Sequence, residues 1–311
     1  MRALLVINPQ STGASSATQR VVERALRSEL DLEVVETDAR GHGVALAAAL
    51  DADLVIACGG DGTVNEVCNG LIDFSTGKSR GAALGIIPTG STNVFARALG
   101  FRNDPVEATH QLLESIKRNN RTEISLGLAS WESPLGPEER IFTFCAGIGF
   151  DGAVVERVDR ERQRGNRSSA SLYWRATSRE VSRTLIVEEH APLLYVEESL
   201  RLGLALVANT DPYTYKGNQA IHPTPRASFA TGLDLMGLRD IRLARLIPAT
   251  IALSMGLTPR ASVQRHDLSH ITLRADRALP IQLDGEPLGR SKELKLRSLP
   301  SAVTVYGRAR A

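Results

Sequence analysis

A chain of 311 residues is longer than one hydrophobic core usually organises, so two domains are expected, and 42% hydrophobic with 23% charged residues is an ordinary globular composition. A formal net charge of +2 is too small to mark a nucleic-acid binder. Cys58, Cys68 and Cys145 lie in apolar runs without metal-ligand spacing and read as small core residues, and no apolar run reaches the roughly 18 residues of a bilayer span.

The first apolar run, residues 3–7, reads as a strand that ends on the polar loop Asn8-Pro9-Gln10-Ser11-Thr12-Gly13. Helical periodicity over 17–30 (Val21, Val22, Ala25, Leu26) leads to a second strand at 32–36, closed by Thr37 and the segment Asp38-Ala39-Arg40-Gly41-His42-Gly43. The alanine-rich stretch 44–50 precedes a third strand at 54–58, then Gly59-Gly60-Asp61-Gly62-Thr63 and a helix over 64–72. A fourth strand at 84–87 ends on Pro88-Thr89-Gly90-Ser91-Thr92-Asn93, with helices at 93–99 and 105–117. This alternation predicts an α/β domain, a parallel sheet with helices on both faces, whose three Gly/Ser/Thr loops meet at the carboxyl edge.

The loop after the third strand carries the most chemistry. Backbone N–H groups at a glycine turn and in the first turn of a helix point outward, and the helix dipole adds positive charge there, so the junction suits a phosphate. A carboxylate inside such a site is repulsive unless a cation intervenes, which makes Asp61 a candidate to organise Mg²⁺, directly or through water. The competing reading is a tight turn with Asp61 as a helix cap.

From residue 121 short apolar or alternating runs dominate, at 123–128, 141–146, 185–188, 193–196, 202–208, 271–274, 281–283, 293–296 and 303–306, which predicts a mostly antiparallel β-sandwich. Helix-like stretches at 153–164 and 171–182 interrupt it. Gly147-Ile148-Gly149-Phe150-Asp151-Gly152 formally satisfies the dinucleotide fingerprint, but β-rich sequence follows it where a second βαβ strand should be. Arg157, Arg160, Arg162, Arg164 and Arg167 fall in one segment, either a solvated helix face or a patch for anionic lipid headgroups. His266 and His270 lack a third ligand in reach, which argues against zinc. Asp284 and Glu286 flank Gly285 after the strand at 281–283; read alone they make a turn with two exposed acids.

Taken together, Gly59-Gly60-Asp61-Gly62-Thr63-Val64-Asn65-Glu66 with the Asn8 and Pro88 loops resembles the signature of the diacylglycerol kinase and sphingosine kinase superfamily. The resemblance implies a phosphofructokinase-like ATP-binding domain over 1–122, a β-rich lipid-substrate domain over 123–298, and a last strand at 299–311 returning toward the first domain. It implies ATP with Mg²⁺, and nucleotide contacts from Asn8, Pro9, Gln10, Ser11, Thr12, Thr37, Gly59, Gly60, Asp61, Gly62, Thr63, Val64, Asn65 and Ser91. Asp61, with Asp151 behind it, is the implied metal contact, and the Asp284–Glu286 turn the implied base. Of these two acids Asp284 is the expected base, nearer the rigid strand, with Glu286 orienting it or approaching the metal. Thr231 stands where relatives carry a carboxylate for a structural Mg²⁺, which puts that metal in doubt.

The activity implied is phosphorylation of a lipid hydroxyl, diacylglycerol first, by a cytoplasmic enzyme held peripherally at the inner membrane face, with no nucleic-acid partner and a homodimer left open. The alternatives are an NAD kinase sharing the Gly-Gly-Asp-Gly-Thr loop, and a nucleotide-binding regulator without catalysis.

Overall fold

Runs such as Leu54-Val55-Ile56-Ala57 have no polar side, so as strands they must be covered on both faces. The computed structural model, which describes residues 1–11, 15–49, 51–163, 194–197, 199–239, 248, 249, 252, 255, 257, 259 and 262–307, buries all four side chains completely. The chain divides into two compact units, 1–126 with 299–311, and 127–298.

In the first unit, β1 (Arg2–Ile7), β2 (Asp31–Glu36), β3 (Leu54–Gly59) and β6 (Ala83–Pro88) pair in parallel in the order β2-β1-β3-β6. The small hairpin β4 (Ile72–Asp73) and β5 (Lys78–Ser79) lies between β3 and β6 in the chain, and Val305 of β18 (Glu286–Tyr306) joins β6 at Leu84, also in parallel. Helix α1 (Ser16–Arg27) packs on α5 (Pro105–Lys117), and α2 (His42–Ala49) on α3 (Asp61–Leu71); α4 (Val94–Ala98) follows the β6 loop. The ends obey local chemistry: Asp104 accepts the amides of Val106 and Glu107 at 2.9 and 3.0 Å, and Pro105 opens α5 where its missing N–H is not needed. Helix α3 begins at Asp61, three residues before the expected start, so the glycine motif forms its first turn.

The second unit is antiparallel. Its path runs β16 (Ser262–Leu268), β15 (Leu233–Leu238), β12 (Leu204–Ala208), β9 (Cys145–Ile148), β17 (His270–Leu283) and β18, with β10 (Leu194–Val196) and β11 (Leu200–Leu202) branching from β17. β7 (Arg121–Ser133) and β8 (Gly136–Phe142) form a hairpin, as do β13 (Thr214–Lys216) and β14 (Gln219–Ile221). Phe142, Leu202, Leu235, Leu273 and Leu294 fill its core. The expected α/β domain and antiparallel β region are therefore both present. The expected elements at 171–182 and 185–188 lie outside the described residues.

Two of the three fingerprint-like glycines are packing residues. Strand β9 lies between antiparallel neighbours, so there is no βαβ unit around α6 (Phe150–Gln163). A Cβ on Gly147 would fall 2.1 Å from Asp151 Oδ2, and one on Gly152 2.3 Å from the Pro280 carbonyl. The three cysteines are buried thiols; burial pushes Cys58 up to about 12 and Cys145 well above the ordinary thiol value, so both stay protonated.

The α2–α3 contact depends on Gly70, whose Cβ would lie 2.3 Å from the Val44 carbonyl and 2.7 Å from Ala47 Cβ. Gly70→Ala should therefore lower stability by roughly 1–3 kcal/mol despite its better helix propensity. Denaturant titration of the two proteins checks this, since a stabilised variant would mean that the helices part easily.

Candidate active site

Because β1, β2, β3 and β6 are parallel, their following loops emerge at one edge, and the hydrogen bonds show that three of them touch. Asn8 Nδ2 donates to Thr63 Oγ1 at 3.2 Å, and the Asn8 amide donates to the Cys58 carbonyl at 3.0 Å. Ser11 Oγ donates to the Thr89 carbonyl at 2.5 Å and accepts from Thr89 Oγ1 at 2.8 Å. Gly60 and Gly90 meet backbone to backbone: a Cβ on Gly90 would lie 2.6 Å from the Gly60 Cα. Asn93, at φ +51°, closes the third loop by accepting from the Gly90 amide and donating to the Gly90 carbonyl. Pro9, Gln10 and Ser91 are exposed on these loops, Thr37 follows β2 with its amide on the Ile7 carbonyl, and Thr12 lies outside the described residues.

Which helix start is open to an anion follows from the caps. Ser15 Oγ caps α1 by accepting from the Thr18 amide. Glu66 caps α2, its Oε1 and Oε2 accepting the Gly41 and Gly43 amides at 2.8 and 3.0 Å. Asp61 caps α4, Oδ2 and Oδ1 accepting the Val94 and Phe95 amides at 3.0 and 3.1 Å. Helix α3 itself starts on Gly60, which makes no side-chain cap bond, and among the described residues no side chain accepts from Gly62 or Thr63. A Cβ on Gly59 would fall 2.2 Å from Thr63 Oγ1, so only glycine lets the loop turn here. Val64 and Asn65 are buried; the Val64 amide donates to the Gly60 carbonyl, and Asn65 Oδ1 accepts from Asn69 Nδ2. Glu66 carried no expected role, because its partners are amides at sequence separations of 25 and 23.

The second unit holds the other acids. β17 and β18 are joined by a two-residue turn, Asp284 at φ +50° and Gly285 at φ +76°, the type that Asp-Gly favours. The chain therefore reverses, and the two carboxylates are not alternate positions on one strand. Asp284 is buried: Oδ2 accepts the Thr143 amide and hydroxyl at 2.7 and 2.9 Å, and Oδ1 the Phe144 and Cys145 amides at 2.9 and 3.0 Å. These four donors match the roughly four lone-pair sites of a carboxylate. Glu286 instead pairs with Arg140, Nη2 to Oε2 at 2.9 Å, with the two side chains 16% and 23% exposed respectively.

Asp151 accepts from Tyr213 Oη and Gln282 Nε2, both at 2.6 Å, and burial pushes its carboxyl above the usual range against the pull of those bonds. A carboxyl held toward its neutral form is a weak metal ligand. Thr231 closes a local turn onto the Ser228 carbonyl, and His266 bonds Asp234. Among the described residues no three acidic, histidine or cysteine side chains converge on a metal position. Asp61 is the one carboxylate in the three loops, and a magnesium ion carried on phosphate oxygens would meet it there.

Residues 2–127 match the family model described as Diacylglycerol kinase catalytic domain. The chain is 34% identical over 278 residues to the Diacylglycerol kinase of Staphylococcus aureus (strain bovine RF122 / ET3-1), covering 78% of this chain and 84% of that one. It is 45% identical over 78 residues to the Diacylglycerol kinase of Bacillus subtilis (strain 168), a match to 25% of this chain and about a quarter, 24%, of that protein's length. Among solved structures, a diacylglycerol kinase from Bacillus anthracis str. Sterne superposes with a TM-score of 0.73 at 20% identity, over 99% of this chain and 97% of that one.

The bonding of the turn separates two substitutions. Asp284→Asn swaps one acceptor oxygen for a donor facing amide N–H groups, so it should cost about 1–3 kcal/mol and lower Tm by roughly 2–4 °C per kcal/mol. Glu286→Gln keeps an oxygen for Arg140 and should cost less. Calorimetry of the purified variants decides, with equal melting contradicting the anchoring role of Asp284.

Proposed function

The chain belongs to the diacylglycerol kinase family, and from that membership we propose that it is a lipid kinase that transfers the γ-phosphate of ATP to the hydroxyl of diacylglycerol, releasing ADP and phosphatidic acid. The observation that carries the reading is the uncapped start of α3, where the Asn8, Gly59 and Pro88 loops touch. Phosphate oxygens accept from backbone amides there without competing with a side chain. The first unit is then the nucleotide-binding domain and the second the lipid domain.

In the transfer the lipid oxygen bonds to Pγ, the bond from Pγ to the bridging oxygen breaks, ADP leaves, and the hydroxyl proton needs an acceptor. Asp284 was the expected acceptor, but its lone pairs are committed to Thr143, Phe144 and Cys145. The bonding pattern supports Glu286 for the proton and Asp284 for holding the turn that presents it. Magnesium, when bound, supplies charge neutralisation on the phosphates, and Asp61 is the residue that would hold it. Asp61 also fixes the start of α4, so its replacement should disturb both the metal and the Pro88 loop.

In this proposal the lipid is met at the cytoplasmic membrane surface; no described helix is long and apolar enough to cross a bilayer. The arginine segment offers only part of its expected patch to this reading: Arg160 pairs with Glu156 at 3.6 Å, and Arg164 and Arg167 lie outside the described residues.

Radiolabelled ATP offered with diacylglycerol vesicles, sphingoid-base vesicles and NAD tests the proposal. Label should enter phosphatidic acid; label in NAD, or in nothing, would overturn it. At saturating ATP and lipid, Glu286→Gln should lose kcat by roughly 10²–10⁴-fold, the loss typical of a removed general base. A near-normal Glu286→Gln beside a folded but inactive Asp284→Asn would return the base to Asp284.

A further inference from the structure

We infer that Gln282 and Asp151 are positioning residues for Glu286: together they form a hydrogen-bonded bridge from the start of α6 to the Asp284–Gly285 turn, and the glycines between Gly147 and Gly152 make room for it. The inference rests on Glu286 as the proton acceptor, the reading given above, and adds two residues outside the turn.

Gln282 is wholly buried, three residues before the glycine of the turn. Its Oε1 accepts the Gly285 amide at 2.9 Å, and its Nε2 donates to Asp151 Oδ2 at 2.6 Å. Asp151 Oδ1 in turn accepts from Tyr213 Oη at 2.6 Å. A backbone N–H can only donate, so the Gly285 amide requires that Gln282 turn its oxygen to it. The amide nitrogen left over can only donate, and a buried donor needs an acceptor. Asp151 supplies that acceptor; the Cys145 thiol, 3.6 Å from Nε2, is a weak one.

The backbone around Asp151 is shaped for this contact. In the ladder between β9 and β17, Gly147 stands opposite Gln282, and a Cβ on Gly147 would fall 2.1 Å from Asp151 Oδ2. The carboxylate therefore occupies the space of the side chain that Gly147 lacks. The Gly149 amide donates to the Pro280 carbonyl at 2.9 Å, and Gly152 lets the first turn of α6 close on the same carbonyl, which a Cβ would meet at 2.3 Å. The start of α6 is thus fixed on β17 at Pro280 and Gln282, just before the turn. Within the turn, the Asp284 carboxylate is held by the 143–145 amides, but Gly285, at φ +76°, has no Cβ to restrain its peptide. The Gln282 bond supplies that restraint, and Glu286 is the next residue, oriented at its far end by Arg140.

The test measures transfer from ATP to diacylglycerol by the full chain, by Gln282→Glu, by Gln282→Glu combined with Asp151→Asn, and by Gln282→Met, with a melting curve for each protein. Glutamate at 282 keeps an oxygen for the Gly285 amide but turns its second oxygen on Asp151. Asparagine at 151 restores a donor between them, and its own oxygen still accepts from Tyr213. Gln282→Glu and Gln282→Met should lose kcat by about tenfold to a hundredfold, the loss that follows when a catalytic group is displaced by up to about 1 Å, with KM for ATP within about twofold. The double variant should regain most of the kcat lost by Gln282→Glu. A normal kcat in folded Gln282→Glu and Gln282→Met overturns the inference. So does a folded double variant that stays as slow as Gln282→Glu, or a KM for ATP that rises as far as kcat falls, which would make the bridge a general support of the fold. If Gln282→Glu fails to fold, an active double variant beside a slow Gln282→Met sustains the inference, and any other pair of results overturns it. Glu286→Gln with near-normal turnover in the same assay sinks the reading of the base, whereas a slow Glu286→Gln beside a normal Gln282→Met sinks the bridge alone.

Discussion

The first unit depends on how one helix distributes its carboxylates. Helix α3 places Asp61 on the amides that begin α4 and Glu66 on the amides that begin α2, while its own start is left to Gly60, which has no side chain to offer. Orphan N–H groups at a helix start must find an acceptor. Two of the neighbouring starts find it in a side chain of α3, and among the described residues no side chain does the same for α3, which is why the proposed phosphate is set there. The glycines follow from the same constraint: Gly59 makes room for Thr63, Gly60 and Gly90 bring two loops into backbone contact, and Gly43 makes room for Glu66.

A carboxylate also organises the second unit, in a different way. The Asp284–Gly285 turn reverses the chain between its two long strands, and Asp284 draws in the amides of Thr143, Phe144 and Cys145 just before β9. The Asp284 amide in turn donates to the Cys145 carbonyl at 2.9 Å, and Asn209 Nδ2 donates to the Thr143 carbonyl at 2.9 Å. A buried acid serving four donors is an anchor, and the proposed proton transfer falls to the neighbour that meets one guanidinium. Glu286 is that neighbour, with Arg140 to orient it.

The strands were legible because burial on both faces leaves uninterrupted apolar runs, as at residues 54–58 and 84–87, and the loops because glycine, serine and threonine follow each run. The antiparallel unit was legible as a change of texture near residue 121. Pairings that join distant backbone to a side chain were not. Nothing near Glu66 marks Gly41 and Gly43 as its donors, and nothing near Asp61 marks Val94 and Phe95. For Asp284 the sequence offered a turn and a nearby rigid strand, but not the Thr143, Phe144 and Cys145 amides that hold its carboxylate. The G-x-G-x-x-G stretch, already set against a dinucleotide site by the β-rich sequence after it, has two glycines explained by close packing, Gly147 on Asp151 and Gly152 on Pro280.

The central claim is that the open amides of α3 are the phosphate site. It is tested most directly by amide ¹⁵N–¹H spectra of the labelled protein titrated with a non-hydrolysable ATP analogue. The account predicts the largest downfield amide shifts at Gly62 and Thr63, with Gly41, Gly43, Val94 and Phe95, already held by carboxylates, moving less. Dominant shifts at Gly41 and Gly43 or at Val94 and Phe95, with Gly62 and Thr63 unmoved, would contradict it.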